Sequence, residues 1–419
     1  MRAVEIAAVL TVAVFVFGHA LISKRIEGTP ITGPIVFVAA GVAFGSAGLL
    51  DEGVTMDSVV RVAAEVTLIL LLFTDAIRID LGRLRSQAGI PGRMLGIGLP
   101  VTVAIGAGLA VVLFPSFTLP EAALLGAVLA PTDAALGQAV VTNQRVPVRI
   151  RQAINVESGL NDGLAVPIVT LFLSLSATSV ELGGDPYGLT FAAQQIGFGL
   201  LAGVGVGYAG GRLLDSFASR GWVEGAFRQL GTLAIGVGAF ATAELIAGNG
   251  FVAAFIAGLT FGAVARDQCE GAYDFAEDEG ILLSLITFLF FGAGLVVAEA
   301  SAVDWRVILY AVGSLTVIRM VPVWLSLTKA HLALPTKLYL GWFGPRGIAS
   351  ILFGLVVVEE LDTPAADRIL TVMVWTVVLS VVLHGVTAST LSERYADWFE
   401  RHRHTPMPES EMVDEMPTR

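Results

Sequence analysis

The chain has 419 residues, of which 55% are hydrophobic and only 15% are charged. Soluble domains carry about 25% charged residues, so this composition excludes an ordinary soluble domain and favours a chain that lies in a bilayer. No basic face accompanies the net charge of −11, which argues against a nucleic-acid partner. One cysteine, Cys269, excludes an intrachain disulfide and offers no metal cluster.

Hydropathy predicts thirteen membrane spans and therefore an all-α polytopic membrane protein. The first span has an apolar stretch too long for a typical signal peptide, and we expect a retained helix. The predicted spans are Val4–Ile22, Ile31–Leu50, Ser58–Ile77, Met94–Phe114, Ala122–Val141, Ala153–Ser176, Leu189–Leu214, Phe227–Ala247, Gly250–Val264, Ile281–Val297, Val307–Thr328, Leu338–Val358 and Ile369–Leu391.

Lysine and arginine collect in alternate loops, and such loops lie on the cytoplasmic side of membrane proteins. With an odd number of spans, this pattern predicts a multi-pass protein of the cell membrane with its N-terminus outside and its C-terminus in the cytoplasm. A membrane domain is expected over residues 1–391 and a short cytoplasmic tail over 392–419. The basic loop residues are Lys24, Arg25, Arg78, Arg83, Arg85, Arg93, Arg145, Arg149, Arg151, Arg212, Arg220, Arg228, Lys329 and Lys337.

The third and fifth spans carry polar groups that a purely structural membrane helix would avoid. Asp75 closes the third span, where it is either a cation-binding acid or a hydrated helix end. In the fifth span Pro131 precedes Thr132 and Asp133, and proline interrupts a helix because it lacks an amide hydrogen. Such breaks supply backbone oxygens to cations in transporters. Asp133 can also cap the half-helix that follows.

The sixth span contains the run Glu-Ser-Gly-Leu-Asn-Asp-Gly at 157–163, with two carboxylates at bilayer depth. Residues four apart stack on one helical face. Glu157 and Asn161 therefore share one face, and Ser158 and Asp162 share the adjacent face. Oxygen ligands of this kind suit a hard cation. The two glycines of the run leave room for a neighbouring helix.

Two arginines in the second half of the chain can neutralise these acids. Arg319 lies inside the eleventh span, and Arg346 lies in a Gly-Pro-Arg-Gly segment that predicts a second helix break, in the twelfth span. A buried arginine needs a fixed anionic partner. We expect Glu157 to form a structural ion pair with Arg319, which leaves Asp162 free to exchange its counter-charge.

These motifs, together with Gly-Asn-Gly-Phe at 248–251, resemble the sodium/proton exchanger branch of the cation/proton antiporters, and above all its NhaP-like members. The resemblance implies inverted repeats, with two broken helices that cross beside the ion site. It implies a homodimer as well. Dimerisation would involve residues 1–85 and 187–300, and a transport core would comprise 90–180 and 305–391. The chain departs from the family pattern at Ala134, where a proline is common, and at Asp75, where some relatives have a glutamate.

The resemblance also implies roles for individual residues. Asp162 would carry the exchanged ion or proton, next to Asn161. Thr132, Asp133 and Ser158 would line the site, and Asp75 is assigned to it as well. Na⁺ is expected at Asp162, Thr132 and Ser158, while Arg346 would join the Glu157–Arg319 charges at the second crossing.

The expected function is exchange of Na⁺ for H⁺ by competition at Asp162, with one ion of each kind per cycle because Asn161 replaces a second acid. Li⁺ is a further possible substrate, and a K⁺/H⁺ antiporter or a less selective exchanger on the same fold stays open, since ligand types do not separate these cations. A cation channel is a remote alternative. No cofactor is expected, and the five histidines offer no metal-ligand spacing, which argues against an enzyme.

Overall fold

The structure is a computed structural model that describes residues 3–26, 29–48, 56–79, 89–133, 136–137, 140, 143–181, 187–265 and 270–402. Every regular element within these ranges is helical, and the α-helices form thirteen segments when an interrupted helix is counted once. A π-helical turn (Gly292–Val296) and a short 3-10 helix (Glu299–Ser301) follow the tenth of them. The first six are α1 (Ala3–Ile26), α2 (Gly33–Ser46), α3 (Met56–Arg78), α4 (Pro91–Leu113), α5 (Leu119–Val128) and α6 (Val148–Glu181). The others are α7 (Tyr187–Ser219), α8 (Ala226–Leu245), α9 (Gly250–Val264), α10 (Glu270–Phe291), α11a (Trp305–Leu315), α11b (Val317–Ser326), α12a (Leu334–Trp342), α12b (Ile348–Glu360) and α13 (Pro364–His402).

Five of the described helices are long and apolar enough to cross a membrane, namely α4, α6, α7, the whole of α11 and α13. Shorter apolar helices include α2, α5 and α9. Apolar side chains such as Leu10, Phe17 and Leu245 are exposed on the outside, whereas Glu157, Arg319 and Arg346 are buried. This distribution is typical of a polytopic membrane protein, in which lipid covers the apolar surface and polar groups face inward.

The helices pack in two sets. In the first packing group α3 lies against α9 and α10, α7 lies against α8 and α9, and α2 lies against α10. Its helices approach closely where glycine leaves the backbone bare. A Cβ added at Gly41 of α2 would overlap the carbonyl oxygen of Leu289 in α10, and one at Gly258 of α9 would overlap that of Phe73 in α3. Dispersion contacts between backbones therefore replace side-chain packing here.

The second packing group consists of α4, α5, α6, α11, α12 and α13. Here α5 lies between α4 and α6, α11a and α12b pack on α13, and α11b packs on α4 and α12a. The two groups meet where α6 contacts α3, α7 and α9 and where α12b contacts α3. The division into a dimerisation part and a transport part stays a prediction.

The predicted boundary at Leu391 does not coincide with the end of α13, which runs to His402. The extension is held by side chains that reach α12a: the hydroxyls of Ser392 and Tyr339 are 2.9 Å apart, and the Tyr395 and Tyr339 rings stack at 4.2 Å. Arg145 also forms ion pairs with Asp397 and Glu400. Hydropathy did not predict this continuation of α13, because an amphipathic helical segment follows the apolar span directly. Residues 403–419 of the predicted tail lie outside the described residues.

We predict that Gly41→Ala destabilises the packing of α2 on α10. The added methyl group must displace backbone atoms, and overpacking of this kind costs about 1–3 kcal/mol. Gly18→Ala on α1 is the matched control, because nothing lies within 4 Å of its added Cβ. Thermal unfolding of the detergent-solubilised protein, followed by size-exclusion chromatography, should show a lower midpoint for the first variant only. Equal midpoints would contradict the close approach.

Candidate functional site

The site begins where α5 ends. Proline disfavours helical geometry in the residue before it and lacks an amide hydrogen, so Pro131 stops α5 and leaves a non-helical segment from Ala130 to Asp133. The last carbonyl groups of a helix have no partner within the helix. Because this end is buried, those carbonyls need hydrogen-bond donors from elsewhere in the protein.

The donors come from the break in α12. Arg346 is completely buried in the non-helical segment between α12a and α12b. Its guanidinium donates hydrogen bonds to the carbonyl oxygens of Ala130 and Pro131, 2.5 and 3.0 Å away. Ser350 of α12b donates to the carbonyl oxygen of Val128 at 2.8 Å. A positive charge at the carbonyl end of a helix also offsets the negative end of its dipole.

The complementary interaction runs from α5 to α12b. An Asp133 carboxylate oxygen accepts the amide of Ile348, the first residue of α12b, at 3.1 Å. The Asp133 amide donates to the carbonyl oxygen of Pro345 at 2.8 Å. Carboxylates at helix N-termini are stabilised by unpaired amides and by the helix dipole. Gly347 is required at this point because any Cβ there would overlap the Asp133 carboxylate.

Glu157 and Arg319 form a buried bidentate ion pair beside this crossing. The two guanidinium nitrogens lie 2.7 and 2.8 Å from the two carboxylate oxygens, and the side chains are 5% and 3% exposed. Planar pairing of this type is the geometry that arginine and carboxylate favour. Gly344 of the α12 break leaves room for Arg319, since a Cβ there would overlap its guanidinium.

Thr132 joins the ion pair to the rest of α6. Its hydroxyl lies 3.4 Å from a Glu157 oxygen and 3.1 Å from the Ser158 hydroxyl, and its amide donates to the Asn161 side-chain oxygen at 3.2 Å. The Asn161 amide group donates in return to the Thr132 hydroxyl at 2.5 Å and to Glu157 at 3.3 Å. The non-helical segment after α5 is therefore fixed against one face of α6.

Asp162 lies on the adjacent face of α6 and differs from its neighbours. One of its carboxylate oxygens is buried and has no hydrogen-bond partner, while the residue as a whole is partly accessible. The carboxylates that interact with it electrostatically are those of Asp133, Asp75 and Glu157. Asp75 comes from α3, where its side chain faces Gly159 of α6. An uncompensated carboxylate among other acids attracts a proton or a cation.

The structure brings all the predicted site residues together but gives two of them other partners. Arg346 was expected to pair with a carboxylate, and its hydrogen bonds run to carbonyl oxygens of α5, because a helix end concentrates negative partial charge. Asp133 caps the half-helix of α12, although the sequence suggested the second half of α5. The roles of Asn161, Thr132, Ser158 and Asp75 toward a cation stay predictions.

Sequence reasoning missed Ser380 and His384 of α13, which are buried against the α12 break. The signal was present, because a histidine and a serine four residues apart in an apolar span share one helical face.

Glu157→Ala is expected to destabilise the protein by about 3–5 kcal/mol, because Arg319 is left buried without its anion. The double variant Glu157→Leu with Arg319→Met should recover most of the loss, since neither charge remains. Thermal unfolding in detergent measures both. Arg61→Ala is the control: its ion pair with Glu359 is exposed, and exposed pairs contribute less than about 1 kcal/mol. A double variant no more stable than Glu157→Ala would contradict the argument.

Known proteins with sequences similar to this chain include two kinds of antiporter. The K(+)/H(+) antiporter NhaP of Alkalimonas amylolytica is 27% identical over 341 residues, which are 80% of this chain and 57% of that protein. The Na(+)/H(+) antiporter 2 of Zygosaccharomyces rouxii is 25% identical over 319 residues, which are 67% of this chain and 39% of that protein. The chain thus spans less than two thirds of the length of these curated relatives.

The fold has close counterparts among solved structures. The sodium proton antiporter MjNhaP1 of Methanocaldococcus jannaschii, determined at pH 8, superposes with a TM-score of 0.72 and 20% identity over 94% of this chain and 99% of that one. A family model described as "Sodium/hydrogen exchanger, transmembrane" matches residues 10–394, which include both helix breaks and every residue of the site. The chain belongs to the sodium/hydrogen exchanger family.

Proposed function

We propose that this protein exchanges a monovalent cation for protons across a membrane, with Asp162 as the carrier group. The observation behind the proposal is the buried Asp162 oxygen that has no hydrogen-bond partner. Arg319 binds Glu157, and Arg346 binds helix carbonyls, so the hydrogen bonds of both arginines run to other groups. The carboxylate of Asp162 then needs a charge from solution.

The chemistry follows from the cost of charge at bilayer depth. A carboxylate that holds either H⁺ or a cation is close to neutral, whereas the empty carboxylate is expensive to keep away from water. Transfer of the Asp162 site between the two sides of the membrane is thus favourable for the two loaded forms and unfavourable for the empty form. The two ions therefore exchange for each other, and neither leaks. Thr132 and Ser158 lie in the same cluster and supply hydroxyl oxygens of the kind that coordinate alkali cations.

Na⁺ is the cation that we propose first, with Li⁺ as a second substrate. The relatives are named for different cations, K⁺ in Alkalimonas amylolytica and Na⁺ in Zygosaccharomyces rouxii. Oxygen ligand types do not decide between them, because selectivity depends on cavity size and field strength. Dissipation of a pH gradient in everted vesicles, with Na⁺, Li⁺ and K⁺ compared at equal concentrations, decides the assignment. A response to K⁺ alone overturns it.

The assembly and topology that we propose follow from the family resemblance and the basic loops. The protein would be a homodimer in the cell membrane, joined through the first packing group, with the N-terminus outside and the C-terminus in the cytoplasm. The second packing group would then move relative to the first and carry the site between the two faces of the membrane.

We expect Asp162→Asn to abolish cation-driven proton movement without loss of folding. The amide has nearly the same shape, but it neither binds a proton at neutral pH nor attracts a cation. The measurement is ΔpH dissipation in proteoliposomes, with expression level and thermal midpoint recorded for each variant. Asp367→Asn on an exposed position of α13 is the matched control and should retain full activity. Exchange that persists in Asp162→Asn would contradict the proposal.

Exchange is expected to be electroneutral, because one carboxylate carries either one H⁺ or one Na⁺. In proteoliposomes clamped with K⁺ and valinomycin, the initial rate of Na⁺-driven proton movement should be the same at 0 mV and at about −100 mV. One uncompensated charge moved through that potential gains about 2.3 kcal/mol, so a second carboxylate that cycles in step, such as Asp75, would make the rate strongly dependent on potential.

A further inference from the structure

We infer that Ser380 and His384 of α13 are positioning residues for the cation site. Together they hold the break in α12 in the shape that directs Arg346 at the end of α5. This inference rests on the proposed cation/proton exchange for its functional consequence. Both side chains are buried, at 0% and 1% exposure, and neither takes part in the site described above.

His384 binds the last residue of α12a. Its Nε2 lies 3.0 Å from the carbonyl oxygen of Trp342, where α12a ends. A helix end of this kind leaves carbonyl groups without partners. Its Nδ1 lies 3.2 Å from the Ser380 hydroxyl and 3.0 Å from the Ser380 carbonyl oxygen, one turn earlier in α13. The imidazole therefore connects the end of α12a to Ser380.

Ser380 binds the other side of the break. The backbone amide of Arg346 donates to the Ser380 hydroxyl oxygen at 2.6 Å. A neutral His384 with its proton on Nε2 allows three consecutive hydrogen bonds: Arg346 amide to Ser380 oxygen, Ser380 hydroxyl to Nδ1, and Nε2 proton to the Trp342 carbonyl. In this tautomer the 3.0 Å approach of Nδ1 to the Ser380 carbonyl oxygen is not a hydrogen bond. We call this chain of three hydrogen bonds the α13 relay. It spans the break in α12 from one half-helix to the other.

Arg346 and Arg319 are the charged groups that interact electrostatically with the imidazole of His384. The relay needs no change in the protonation of His384, and we expect it to act as a fixed brace.

The relay leads to the cation site in two steps. It fixes the backbone of Arg346, and the Arg346 guanidinium then holds the carbonyl oxygens of Ala130 and Pro131. The next residue is Thr132, whose amide and hydroxyl bind Asn161 and Ser158 on α6. Loss of the relay should thus loosen the segment after α5 that lines the site, although the hydrogen bonds of the relay reach only Arg346 and Trp342.

The test compares Ser380→Ala and His384→Leu with His384→Gln, which keeps a donor for the Trp342 carbonyl. Ser392→Ala is the matched control: Ser392 is also buried on α13, and its hydroxyl lies 2.9 Å from that of Tyr339 in α12a. Two quantities are measured on the purified full-length protein. One is hydrogen–deuterium exchange of the peptide that covers 343–348, and the other is KM and Vmax for the cation in proteoliposomes.

We expect faster deuterium uptake at 343–348 and a KM about tenfold higher in Ser380→Ala and His384→Leu, the equivalent of about one buried hydrogen bond. His384→Gln should recover most of the affinity, with a pH profile like that of the unmodified protein. Ser392→Ala should change neither quantity. A merely structural role for α13 would lower Vmax or stability equally in Ser380→Ala and Ser392→Ala.

Three outcomes overturn the inference: unchanged uptake in Ser380→Ala, faster uptake without a change in KM, or the same response in Ser392→Ala. If His384→Leu fails to fold, Ser380→Ala carries the test, because it removes a single hydroxyl group. The proposed function is tested separately. If the unmodified protein exchanges no cation for protons, that function is wrong, while the deuterium uptake of the three variants still decides whether the relay holds the break.

Discussion

The crossing of α5 and α12 depends on reciprocal contacts between charged side chains and the ends of two interrupted helices. Each break leaves backbone groups without partners in a buried region, where an unsatisfied group costs about 1–3 kcal/mol. Arg346 from the α12 break binds the carbonyl end of α5, and Asp133 from the α5 break binds the amide end of α12b. Each break therefore supplies hydrogen-bonding groups that the other lacks.

The charge balance of the whole site follows from these reciprocal contacts. Glu157 neutralises Arg319, and Asp133 and Arg346 belong to the crossing. Asp162 on α6 differs from them, because one of its carboxylate oxygens is buried without a hydrogen-bond partner. The compensated charges are held by two or more hydrogen bonds or by a helix end. This difference is the reason for assigning the proposed exchange to Asp162.

Much of this arrangement could be predicted from the sequence. Asp162, Glu157 and Arg319 stand out because charged residues in apolar spans are costly and need a reason. Both breaks follow from proline chemistry at Pro131 and Pro345. The capping of α5 by Arg346 and of α12b by Asp133 was not predicted. Sequence spacing shows where a helix stops but not which distant segment reaches its end. The continuation of α13 to His402 was missed for a similar reason, because Tyr395 is recognised as buried only when Tyr339 is placed beside it.

The division of these residues between the two packing groups bears on how cation binding can depend on conformation. Glu157, Arg319, Asp133 and Arg346 all lie on helices of the second packing group, so their pairs are internal to it. Asp75 lies on α3 of the first group and faces α6 at Gly159, where the two groups touch. A displacement of one group past the other therefore changes the distance from Asp75 to Asp162 and leaves the internal pairs intact. Two nearby carboxylates favour a cation or a proton between them. In the proposed exchange, such a displacement would therefore change the affinity of Asp162 for its ion.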